Sequence, residues 1–143
     1  MTQIPASIRL PRGLWDRLVA HCQDQRPNEA CGVLGLVGPD VVGVFEMSNV
    51  DGSPVRYRLD PKEQLAVYNR LHEKGWDFAS YHSHTRTEAY PSPTDVKEAR
   101  EDVPYVIVSL AGDDPTVRAF RIVKDDWLDL TGEVQEVPIE VVG

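Results

Sequence analysis

The sequence predicts an α/β fold of the α+β kind, a mixed sheet packed with about three helices, and three observations carry that expectation. Apolar residues recur at helical spacing in two long segments, short β-branched runs stand between and after them, and the two patterns are interspersed rather than segregated. The 143 residues suit one compact domain, read as 1–143. A chain of that length buries roughly 68–70% of its unfolded surface, so it needs neither disulfides nor a structural metal to fold.

After an irregular opening, Pro11 to Gln25 carries Leu14, Trp15, Leu18, Val19 and Cys22 on one helical stripe, which Arg26-Pro27-Asn28 stops. Cys31 to Val37 and Val41 to Met47 are apolar runs joined by Gly38-Pro39-Asp40, the pattern of a hairpin, with Glu29 just ahead of the first. Ser48 to Pro54 is a polar loop and Val55 to Leu59 a short extended piece. Asp60-Pro61-Lys62-Glu63 opens the second helix with a capping residue, a first-turn proline and an acid three positions after the cap. Leu65, Tyr68, Leu71 and His72 form its inner face, and Gly75 ends it. Trp76 to Tyr81 reads as a strand running into His82-Ser83-His84, where period-two geometry puts both imidazoles on one face. Thr85 to Pro91 is a loop, and Ser92 or Thr94 caps a third helix through about Arg100. Tyr105 to Leu110, Thr116 to Val123 and Val134 to Val142 are strand-like, with Pro138 pointing to an edge position.

Fifteen Lys and Arg against 23 Asp and Glu leave a net charge of −8. With no basic run in the chain, this balance argues against a nucleic-acid partner, whose phosphates require clustered cations. No apolar stretch approaches the roughly 20 residues of a membrane-spanning helix. Cys22 and Cys31 make no disulfide framework and the opening residues carry no secretion signal, so a reduced, cytoplasmic protein is expected.

Chemistry concentrates in His82-Ser83-His84 and, seven residues later, Ser92-Pro93-Thr94-Asp95. Two imidazoles on one strand face and a carboxylate on a nearby first helical turn match the three protein ligands of a catalytic zinc site, one ion per chain, with a fourth position open to water. A structural zinc is more often closed by four ligands that include cysteines, and neither cysteine stands nearby. Hydrolysis also needs a carboxylate that does not hold the metal, and spacing leaves Glu29, Glu46, Glu63, Glu73 and Glu88 as alternatives. Ser92 and Asp95 also have plain structural roles open to them, as helix cap and dipole partner. His21 and His72 read as surface or satisfied core residues, and Cys31 as a buried small hydrophobe.

The fragment Asn28-Glu29-Ala30-Cys31-Gly32-Val33-Leu34-Gly35, together with the His-Ser-His, seven residues, Ser, two residues, Asp pattern, resembles the JAMM (MPN+) metallopeptidase family. Tyr57-Arg58-Leu59-Asp60, Tyr81 to Thr85, Thr87 to Ser92, Thr94-Asp95-Val96 and Phe120-Arg121-Ile122-Val123 extend the likeness to a small bacterial branch, from about Leu14 to Val142. The resemblance implies a single-domain JAMM/MPN fold with a curved mixed sheet. It assigns zinc to His82, His84 and Asp95, the acid/base role to Glu29, and an oxyanion-binding hydroxyl to Ser92. It also implies a peptidase or isopeptidase that cuts after the C-terminal Gly-Gly of a ubiquitin-fold sulfur carrier, releasing cysteine from a Gly-Gly-Cys end in cysteine biosynthesis. A cysteine with a free carboxylate would need a cation, for which Arg58 and Arg86 are candidates with Arg56 behind them; Tyr90 could line the groove or pack against Pro91. Two other readings stand beside this one: general deconjugation of ubiquitin-like modifiers from lysines, weakened by the short chain, and a non-catalytic scaffold, weakened by the intact ligand set. A homodimer is compatible with all three.

Overall fold

The structure is a computed structural model that describes residues 4–143. Among these, the chain runs β1 (Ile8–Pro11), α1 (Arg12–Asp24), β2 (Cys31–Val37), β3 (Asp40–Met47), α2 (Pro61–Lys74), β4 (Asp77–His84), α3 (Pro93–Glu98), β5 (Tyr105–Ser109), β6 (Thr116–Val123), β7 (Glu133–Val137) and β8 (Ile139–Val142). All eight strands belong to one mixed sheet in the order β7-β6-β5-β4-β2-β3-β1-β8. No described helix is long and apolar enough to cross a membrane.

The opening is less irregular than expected, because β1 pairs in parallel with β8 over four residues and buries Ile8 and Leu10 completely. The expected last strand is two strands. Val137 pairs with Ala119 of β6, whereas Ile139 pairs with Ile8 of β1, and the chain turns the corner at Pro138. That residue has no N–H to give to a ladder, but its carbonyl accepts from the Ile8 N–H at 2.8 Å. Because β7 and β8 form the two ends of the sheet and follow one another in the chain, the sheet must curve until its ends nearly meet, and β8 indeed lies against β6.

Helix α1 lays Leu18, Val19 and Cys22 against β1, β3 and β8, the central core of the molecule. Helix α2 starts as read, with the Asp60 carboxylate accepting from the Lys62 N–H, and stops at Gly75, whose φ of 68° is a left-handed conformation that glycine adopts without strain. Its inner face is narrower than expected. Leu71 is buried, but Leu65 is 65% exposed and His72 is also exposed, since α2 lies along the rim of β3 and β4. Glu63 does not close a capping box; its carboxylate accepts from the Ser48 N–H (2.7 Å) and hydroxyl (2.8 Å), tying the following loop to the helix. The extended piece from Val55 to Leu59 is no strand and makes a single bridge, Leu59 to Asn49.

Strand β4 runs through the middle of the sheet, antiparallel to β2 and parallel to β5. Its last four residues, Tyr81 to His84, are therefore buried at its carboxyl end, directly beside the start of β2.

Candidate metal centre and its surroundings

Four short segments build the site. His82 and His84 stand two residues apart on β4 and are 1% and 3% exposed. Ser83, between them, points its hydroxyl to the Ala30 N–H (2.8 Å), and its own N–H donates to the Ala30 carbonyl. This double tie fixes the Glu29-Ala30 segment against the strand that carries the histidines. Glu29 is held from its other side as well: its N–H donates to the Ser53 carbonyl, and the Asn49 side-chain amide donates to its carbonyl. The same Asn49 amide donates to the Arg56 carbonyl while its oxygen accepts from the Asp51 and Arg58 N–H groups, so one side chain organises the loop of residues 49–58 around Glu29.

Asp95 arrives on the first turn of α3. Ser92 caps this helix: its hydroxyl oxygen accepts from the Asp95 N–H (3.0 Å), and its own N–H donates to Asp95 Oδ2 (2.9 Å), a closed capping box. The helix is shorter than read, ending at Glu98 rather than near Arg100. Capping sets the carboxylate in place. Asp95 Oδ2 lies 3.0 Å from His82 Nε2 and 2.9 Å from His84 Nε2, and the two imidazole nitrogens are 3.2 Å apart. Ligands about 2.0–2.1 Å from a tetrahedral ion stand about 3.3 Å from one another, so this triangle needs to open by only a few tenths of an ångström to take a divalent metal. His82, His84 and Asp95 form the cluster that suits one.

The two imidazoles are oriented differently. His84 Nδ1 is 2.8 Å from the Glu88 carbonyl, which can only accept, so Nδ1 carries the proton and Nε2 presents its lone pair to the centre. His82 Nδ1 has no hydrogen-bond partner among the described residues. Its ring is instead stacked on Tyr57, with centroids 4.5 Å apart and planes inclined by 23°.

Burial and charge set the protonation of the site. Burial resists ionisation of Asp95, but the adjacent imidazoles and the Ser92 N–H prevail and hold the carboxyl well below the usual carboxylate range. Burial likewise opposes a charge on His84, yet the Asp95 carboxylate and the Glu88 carbonyl raise its pKa above the ordinary value. Glu29, 4% exposed, is pushed up to about 8, chiefly by burial and then by the Asp95 charge. Its Oε1 has no partner among the described residues. A buried carboxyl that holds a proton near neutrality and keeps one oxygen free is suited to take up and return a proton.

Glu29, Val55, His84, Thr85, Arg86 and Ser92 are among the walls of a cavity of about 190 Å³. Arg86 thus stands at the site. Arg58 does not line this cavity but an adjoining groove with Tyr57 and Lys97, where it pairs with Asp51 at 3.1 Å. Tyr90 packs edge-on against Phe120, with centroids 5.3 Å apart. Cys31 is fully buried and its thiol is pushed up to about 12 by burial, which fits a small hydrophobe. His21 is a satisfied core residue, with Nδ1 2.7 Å from the Tyr81 hydroxyl. The sequence reading did not single out Tyr57, Ser83, Asn49 or the Glu88 carbonyl. Tyr57, Ser83 and Glu88 lie within the fragments that carry the resemblance but drew no such role, and Asn49 gave no signal, because the partners are far apart in the chain or belong to the backbone.

Residues 11–123 match the family described as prokaryotic homologs of the JAB domain. The chain is 44% identical over 138 residues to the CysO-cysteine peptidase of Mycobacterium tuberculosis, covering 90% of this chain and 87% of that one. It is 39% identical over 117 residues to a probable TtuB-protein conjugate cleaving protease of Thermus thermophilus, covering 80% and 76%. Among solved structures, protein DSY2949 of Desulfitobacterium hafniense superposes with a TM-score of 0.80 at 34% identity, covering 94% of this chain and 92% of that one. The JAB1/MPN domain protein AF2198 of Archaeoglobus fulgidus superposes with a TM-score of 0.60 at 18% identity, covering 95% and 98%, and shares the fold.

Proposed function

The chain belongs to the family of prokaryotic homologs of the JAB domain, and from that premise we propose a zinc metallopeptidase that hydrolyses the bond after the C-terminal Gly-Gly of a ubiquitin-fold sulfur carrier and releases cysteine. One observation carries the reading. Two imidazole nitrogens and a carboxylate oxygen converge within 3.2 Å of one another beside a buried carboxyl with a free oxygen, which is a ligand set with its proton carrier. Relatives named as a CysO-cysteine peptidase and a TtuB-protein conjugate cleaving protease support a carrier-type substrate.

His82, His84 and Asp95 would hold the zinc, an N,N,O ligand set that suits that ion. Zinc, when bound, supplies the Lewis acidity that polarises a carbonyl and brings the pKa of a water from about 15.7 to about 7. The protein's own residues do the rest. The Glu29 carboxylate takes a proton from the attacking water and delivers it to the departing nitrogen. The water oxygen joins the glycine carbonyl carbon and the C–N bond breaks, leaving a Gly-Gly carboxylate and a free amine. Because the Ser92 oxygen already accepts from the Asp95 N–H, its own proton is free to donate to the developing oxyanion. The carrier's tail approaches along the groove lined by Tyr57 and Arg58.

Intact-mass spectrometry of ubiquitin-fold sulfur carriers ending in Gly-Gly-Cys tests this directly. The zinc-loaded enzyme should remove one cysteine; Glu29→Gln should keep its zinc and fail to do so, while His84→Ala should lose both zinc and turnover. Cleavage of lysine-linked carrier conjugates with the Gly-Gly-Cys end left intact would instead assign general deconjugation.

A further inference from the structure

A departing nitrogen can be protonated only where the Glu29 carboxyl reaches it, so the residue that bears this nitrogen must enter the cavity that Glu29 lines. At about 190 Å³ the cavity equals roughly six waters at about 30 Å³ each, room for one small amino acid. Two of its walls stand out. Arg9, Arg17, Arg56, Arg58, Arg118 and Arg121 are each paired with a carboxylate; Arg86 is one of five arginines that make no ion pair among the described residues, and of these five it is the one that lines this cavity. Thr85, 7% exposed, has a hydroxyl with no hydrogen-bond partner among the described residues, an uncommon state for a buried polar group. An unpaired cation and an unpaired buried hydroxyl in one small cavity form a receptor for a carboxylate.

We infer that this cavity is the subsite for the α-carboxylate of a single departing amino acid, with Arg86 as its charge partner and the Thr85 hydroxyl as its second donor. The inference rests on the proposed peptidase reading and sharpens it: the enzyme acts on tails that end one residue beyond Gly-Gly. The amine of a protein's lysine brings no carboxylate to that position.

The test compares a ubiquitin-fold sulfur carrier ending in Gly-Gly-Cys as the free acid with the same carrier ending in the carboxamide, using the full zinc-loaded chain. The acid form should be cleaved with a kcat/KM about 10- to 100-fold higher, the discrimination expected of a charge-assisted pair. Arg86→Gln should bring the ratio of the two rates close to one, and Arg86→Lys should restore part of it. A second measurement does not depend on turnover: the Arg86 Nε–H resonance should shift on adding S-methylcysteine but not its carboxamide. Equal wild-type rates on acid and amide, or an unchanged ratio in Arg86→Gln, overturn the inference. If neither carrier is cleaved but the carboxylate-dependent shift is present, the carrier reading fails and the subsite stands; if the shift is absent too, both fall.

Discussion

Ser92 has a structural role and a proposed catalytic one, and the two can be measured apart. As helix cap it satisfies the Asp95 N–H, and in the proposed mechanism its O–H donates to the oxyanion. Ser92→Ala should lower stability by about 1 kcal/mol in urea unfolding and lower turnover by about 10²–10³-fold. If the rate falls only in proportion to a loss of zinc, Ser92 acts through Asp95 alone. His21 makes one contribution to the pH dependence of stability. Burial lowers its pKa against the pull of Glu46 and Asp24, so the folded state resists a proton that the unfolded imidazole accepts near pH 6.5. Stability is then full above about pH 6.5 and declines as pH falls below it. Urea midpoints for wild type should drop more between pH 7.5 and 5.5 than those for His21→Gln. At this scale the clustering of His82, His84 and Asp95 was legible because β-strand periodicity and a capping pattern are local. The stacking of Tyr57 on His82 was not, because it joins residues brought together only by the Asn49-centred loop.

Among the elements, β2 and β4 align Glu29 with His82 and His84 through their mutual register, Cys31 opposite His82. Their closeness depends on Gly32. A β-carbon there would collide with the Phe45 carbonyl and the Tyr81 ring. Gly32→Ala should therefore cost about 1–3 kcal/mol in thermal or urea unfolding, the usual penalty of overpacking; an unchanged midpoint would show that β2 can shift. Helices α1 and α2 and the hairpin β2-β3 were readable from stripes, caps and the Gly38-Pro39-Asp40 turn. The misread elements share a physical cause. β1 is four residues long and owes its existence to pairing with β8, which local propensity does not register. The alternation through residues 134–142 continues across Pro138, so pattern alone hides a change of partner. Glu63 sat where a capping acid belongs, and the distant Ser48 outcompeted the helix end for it.

At the level of the whole molecule, the core is formed without help from the metal centre. The clusters around Leu34, Tyr81 and Val106, and around Tyr105 and Ile122, are built of ordinary apolar side chains. The Asp95 carboxylate lies within 3.0 Å of both the His82 and His84 imidazoles. Chelation should thus abolish turnover while leaving the circular dichroism spectrum intact. The melting temperature should fall by an amount that depends on zinc concentration, about 2.7 kcal/mol being gained at a hundredfold excess over Kd. Loss of secondary structure on chelation would show instead that the ion has a structural share.

The corner at Pro138 has a consequence beyond shape. A sheet normally presents two independent free edges, each a template on which another chain can polymerise. Here one C-terminal strap covers the outer flank of β6 with its first half and that of β1 with its second. Both edge strands of the sheet are therefore halves of one segment, residues 133–142, and a cut within it would free β6 and β1 to become the new edges at once.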